Sequence, residues 1–74
     1  MKTHQFAVCL RNQGQEASLE LRKLYEVLPD ADALKHGQLR VVDESGEDYL
    51  YEAAAFDLVA LPANVAERVF KAHA

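Results

Sequence analysis

In 74 residues the chain has one cysteine, no tryptophan, two prolines and three glycines. A single cysteine excludes an internal disulfide. Cys9, standing alone and without a secretory leader, is the pattern expected in a reducing cytosol. No apolar run approaches the roughly 20 residues that a membrane helix requires, so no membrane span is expected. Cations are scarce too: 8 Lys and Arg stand against 12 Asp and Glu, for a formal net charge of −4. That balance repels a polyphosphate backbone at long range and disfavours nucleic acid as the partner.

Groupings that carry chemistry are also missing. The sequence has no glycine-rich phosphate loop and no Ser/His/Asp grouping with a supporting motif. Cys9, His4, His36 and His73 are the nucleophile or soft-ligand candidates, and no two of them have the close paired spacing of a zinc site. Asp43, Glu44, Glu47 and Asp48 crowd four carboxylates around one turn, but not at calcium-loop spacing, and charged turn tips are ordinarily solvated. The expectation is a non-catalytic protein with no cofactor and no metal; the competing reading, a small enzyme or metal-binding protein, needs a cleft that the sequence does not reveal.

What the chain does contain is apolar residues, half of the total, enough for a folded domain and too many for disorder. Residues 1–74 read as a single small domain. At this length roughly 60% of the unfolded surface is buried, so stability is marginal and a partner chain is a common supplement.

The organising stretch is Leu39 to Tyr51. Two runs rich in β-branched and aromatic residues, 39–44 and 47–52, flank Ser45-Gly46 and read as a β-hairpin. A two-residue loop at Ser45-Gly46 or a four-residue loop at 44–47 gives one register, pairing Val42 with Tyr49, Val41 with Leu50 and Arg40 with Tyr51. Leu39, Val41 and Leu50 then share one face, and Arg40, Val42, Tyr49 and Tyr51 the other.

Before the hairpin, residues 5–11 alternate Phe6, Val8 and Leu10 with Ala7, Cys9 and Arg11, a strand with a heavy and a light face. Residues 17–28 fit a helical stripe, but Pro29 biases Leu28 away from helix, so 22–28 reads as strand and 17–21 as an irregular arm or a short strand. An Asp30 cap and Gly37 bracket one helical turn. Beyond the hairpin, 53–56 reads as a tight turn and 57–61 as a closing strand. Pro62 opens a short C-terminal α-helix over about 62–73.

Five short strands with a tight turn after the fourth resemble a Src-homology-three-like small barrel. The run Arg40 to Tyr51, with Phe56 and Leu61-Pro62 downstream, is also similar to a group of short bacterial and cyanobacterial proteins of unassigned function. These resemblances imply a mainly β five-stranded barrel with a C-terminal helix, and no activity. Binding of proline-rich peptides, the habit of the eukaryotic barrels, is not expected here. The chain has no tryptophan, Asn12-Gln13-Gly14-Gln15-Glu16 follows the first strand, and Phe56 is the one aromatic near the later groove position.

The candidate partner-binding residues are Arg40, Val42, Tyr49 and Tyr51, a cross-strand patch in which the guanidinium lies against the Tyr51 ring. Tyrosine and arginine are favoured at interfaces. Either the C-terminal helix covers this patch with Val65, Val69 and Phe70, or the patch meets a protein partner or a second copy of the chain. A nucleic-acid reading would require Arg11, Arg22, Lys23, Lys35 and Arg40 to converge on one face.

Overall fold

The computed structural model describes residues 5–62 together with Asn64, Val65 and Arg68. The strands are β1 (Gln5–Cys9), β2 (Leu24–Leu28), β3 (Gln38–Val42), β4 (Asp48–Glu52) and β5 (Phe56–Val59). A five-residue helix, α1 (Ala31–Lys35), joins β2 to β3, and a 3₁₀ turn over Ala53–Ala55 joins β4 to β5. All pairings are antiparallel, in the order β4-β3-β2-β1-β5. The result is a mainly β fold with little helix, an open sheet with β4 and β5 as its edges. Asn64, Val65 and Arg68 are helical, as the sequence predicts; Pro62 is not itself helical but accepts the Val65 N–H at 3.0 Å, and the remaining positions of the expected C-terminal helix lie outside the described residues. His4 and His73 lie outside them as well.

Each element has a local cause. Asp30 caps α1 by accepting the Ala33 N–H on Oδ1 at 3.0 Å, and Gly37 closes it at φ +69°. Between β1 and β2 the chain forms an irregular arm, with turns at 16–18 and 21–22 in place of the alternative helix. It re-enters the sheet through Arg22, at φ 63°, whose N–H donates to the Cys9 carbonyl at 2.7 Å. The 3₁₀ turn ties both halves of the sheet together. Ala53 N–H donates to Gly37 C=O at 2.9 Å, and Ala55 C=O accepts from Leu10 N–H at 2.8 Å.

The core lies on one side of the sheet. Residues opposite each other in antiparallel strands share a face, so Ala7 and Cys9 of β1 lie beside Tyr25 and Val27 of β2, Leu39 and Val41 of β3, Tyr51 of β4 and Phe56 of β5. Leu19 of the arm folds over them. The light face of β1 therefore points to the main core. Small side chains there leave room for the Tyr25 and Phe56 rings, and Tyr51 meets Phe56 edge to face at 6.1 Å between centroids. Phe6, on the reverse face, is also buried.

The β3–β4 register differs by one residue from the predicted one. Val41 pairs with Tyr49, Arg40 with Leu50 and Leu39 with Tyr51. The loop is the reason. Asp43 N–H donates to Glu47 C=O at 3.1 Å and Gly46 N–H to Asp43 C=O at 3.0 Å, with Gly46 at φ +84°. That is a three-residue loop over Glu44–Gly46, a tight turn closed by a left-handed glycine. An odd loop shifts the pairing by one position relative to an even one, and a shift of one exchanges faces on the second strand.

Gly46 thus sets the register through its backbone conformation. Gly46→Ala is expected to cost about 1 kcal/mol, since a side chain disfavours the left-handed region by roughly 1–2 kcal/mol per residue. Gly46→Asn should lose less, a difference that urea denaturation midpoints will resolve.

Candidate functional site

The register change divides the predicted patch. Tyr49 and Tyr51 lie on the core side of the sheet with Leu39 and Val41, while Arg40 and Val42 lie on the reverse side with Leu50 and Asp48. Tyr51 is 9% exposed and belongs to the core. Arg40 does not meet its ring: Nε lies 2.8 Å from Asp30 Oδ2 and Nη1 lies 2.9 Å from Asp48 Oδ2, tying the cap of α1 to β4. Arg40, Val42, Tyr49 and Tyr51 therefore do not form a single contact surface.

The carboxylates of the turn are dispersed as well. Asp43 points inward, Glu44 toward Tyr25 and Lys23, Glu47 toward the Tyr49 hydroxyl, and Asp48 toward Arg40. Among the described residues no cluster of His, Cys, Asp or Glu could hold a metal ion. His36 is exposed at the end of α1, with Nδ1 donating to the Asp32 carbonyl at 2.8 Å. Cys9 is fully buried. Burial pushes its thiol up, and the thiol donates to the Arg11 carbonyl at 3.3 Å. Of the cations that nucleic-acid binding would need, Lys23 and Arg40 are already held by carboxylates.

A clasp around the hairpin turn takes the place of the patch. Asp43, buried at 6% exposure, accepts the Ser45 N–H on Oδ1 at 2.9 Å and the Tyr51 hydroxyl on Oδ2 at 2.6 Å, with the Ser45 hydroxyl also on Oδ1. Next to it, Glu44 accepts from the Tyr25 hydroxyl and, at 2.6 Å, from Lys23. The Glu44 N–H donates to Ser18 C=O at 3.0 Å, and the Tyr25 oxygen accepts the Glu20 N–H at 2.7 Å. Two adjacent carboxylates thus hold two core tyrosines and pin the β1–β2 arm to the hairpin. The signal for the turn was present in Asp43-Glu44-Ser45-Gly46, since Asp at the first and Gly at the fourth position mark a type I turn.

Beyond the clasp, a trough runs along the outer edge of β4. One part, of about 360 Å³, is lined by Gln15, Ser18, Asp43, Ser45, Tyr49, Leu50 and Tyr51. A second part, of about 280 Å³, shares Gln15 and Tyr51 and continues past Glu52 to Ala55, with Arg11 and Gln13 on the arm side. Tyr49 and Leu50 are 49% and 44% exposed. The bonds Asp43 N–H to Glu47 C=O and Ala53 N–H to Gly37 C=O set the ladder phase, so Tyr49 and Tyr51 turn their backbone toward β3. Asp48, Leu50 and Glu52 turn theirs outward, and among the described residues nothing bonds the outward backbone groups of Leu50 and Glu52. Sequence reasoning missed this edge because the strand order, not the local pattern, leaves β4 without an outer neighbour among the described residues.

The clasp makes stability depend on pH at both ends. For Asp43, burial works to raise the carboxyl, but the donors Ser45 and Tyr51 outweigh it and its pKa is lowered. A lowered folded pKa gives stability that is present above the unfolded value of about 3.9 and lost as pH falls through the folded value. Tyr51 is pushed up to about 12 by burial and by Asp43, and Tyr25 is raised by burial and Glu44. Stability from these raised hydroxyls is present below about pH 10 and lost as pH rises through the folded values. Tyr51→Phe should cost about 1.5–3 kcal/mol at neutral pH, the worth of a hydrogen bond to a charged group. It should also shrink the alkaline loss, and Asp43→Asn should flatten the acid limb, both read from urea midpoints across pH.

Comparison with protein-family models, with curated proteins and with solved structures gives no match for this chain.

Proposed function

We propose that the chain is a non-catalytic, cytosolic protein-interaction module that binds by adding an extended segment of a partner to the edge of β4. The observation that carries this reading is the β4 edge itself, with outward N–H and C=O groups at Leu50 and Glu52 beside two adjoining hollows that share Gln15 and Tyr51. Strand addition uses such groups for affinity and the pockets beside them for specificity. The half-exposed Tyr49 and Leu50 supply apolar area on the two faces of that edge.

A Src-homology-three-like layout is part of this reading. It is supported by the order β4-β3-β2-β1-β5 and by the 3₁₀ turn between β4 and β5. The cytosolic assignment is supported by the lone, buried Cys9. No helix among the described residues is long and apolar enough to cross a membrane.

Leu50→Pro is the decisive variant, because it removes an outward N–H without touching the β3–β4 ladder, and edge strands tolerate proline in that position. Its far-UV circular dichroism should stay near wild type, while a partner captured from the native host by wild-type protein and by Leu50→Ala should be lost. The Leu50 and Glu52 amides of wild-type protein should gain hydrogen-exchange protection when that partner binds. Equal capture by Leu50→Pro, or unprotected amides in the complex, would overturn the reading.

A further inference from the structure

The charges around the β4 edge narrow the occupant, and this inference rests on the edge-binding reading above. On the face that Leu50 shares, its strand neighbours two places away are Asp48 and Glu52, both exposed. Asp48 already carries Arg40 at 2.9 Å, whereas Glu52 has no ion pair among the described residues. A strand laid against β4 meets these side chains directly, because cross-strand neighbours on one face sit within about 4.5–5.5 Å at Cβ.

A second copy of the chain fits badly. In the antiparallel register centred on Leu50, Asp48 of each copy lies opposite Glu52 of the other, and like charges placed directly opposite are destabilising. Slid by two residues in either direction, the same pairing sets Leu50 against a carboxylate. The acidic flanks therefore act against edge-to-edge self-association, a common use of charge on exposed strands.

The other face of the incoming strand meets different chemistry. There the walls are Tyr49 and Tyr51 from the sheet and Gln13, Gln15 and Ser18 from the arm, with Arg11 at the 3₁₀ end. Those walls suit apolar or uncharged polar side chains, and Arg11 repels a cation there.

We infer that the β4 edge selects an extended segment that alternates basic, uncharged, apolar, uncharged and basic residues, with the apolar residue opposite Leu50 and the basic residues opposite Asp48 and Glu52. Opposite-charge cross-strand pairs are favourable, and like pairs oppose by similar amounts. Two such positions, one of them shared with Arg40, separate a basic from an acidic segment by about fourfold or more in Kd.

The test uses the full chain and two fluorescent heptapeptides, Thr-Arg-Val-Leu-Val-Arg-Thr and Thr-Glu-Val-Leu-Val-Glu-Thr, titrated by anisotropy at low and high salt. The basic peptide should bind at least about fourfold more tightly at low salt, and the gap should narrow as salt rises. Glu52→Lys, a surface change, should narrow or reverse the preference, and Leu50→Pro should abolish binding of both peptides. Equal affinities for both peptides, each lost in Leu50→Pro, would overturn the charge selection and leave the edge reading standing. Binding that Leu50→Pro does not weaken, or no binding of either peptide, would overturn both.

Discussion

The fold depends on a buried carboxylate at the point where the hairpin turns. Asp43 sits at 6% exposure with donors on both oxygens, two atoms of Ser45 on one and the Tyr51 hydroxyl on the other. A charge so placed is tolerated only when its lone pairs are occupied. Satisfying it fixes the odd-length loop and brings Tyr51 inward, and from that follow the faces of β3 and β4. The same turn presents Glu44 to the arm, so hairpin geometry and arm docking are one constraint.

Much of the fold was legible in local pattern. The strand in 22–28, the capped turn from Asp30 to Gly37, the tight turn after β4 and a closing strand all have short-range causes, and all form within a residue or two of the predicted places. The register was not legible to the same degree. The choice between an even and an odd loop at Glu44–Gly46 depends on whether Asp43 is a solvated tip residue or a buried acceptor, and that requires knowing that Tyr51 lies beneath it. The candidate patch inherited this ambiguity. One residue of slip separated Arg40 from both tyrosines of β4, and alternation could not choose between the registers because Tyr49-Leu50-Tyr51 offers an apolar side chain to either face.

The composition of β1 holds a related lesson. The heavier side chains Phe6, Val8 and Leu10 would be assigned inward by hydrophobicity alone, yet the main core receives Ala7 and Cys9. Core volume is shared among facing strands, so large rings on β2, β4 and β5 require small neighbours on β1. At the edges the logic is topological. Exposed apolar side chains at Tyr49 and Leu50 gain meaning because, among the described residues, strand order leaves β4 open on its outer side, with the arm as a second wall.

One consequence concerns the sulfur at the centre of the sheet. Cys9 has no exposed surface, and its strand is paired on both sides, with β2 and with β5. Reagents in solution can meet that thiol only when its cover opens, by the arm that carries Leu19 lifting from the sheet or by β1 parting from a neighbour, so its rate of alkylation times that opening and supplies an intrinsic clock for the motion of the core.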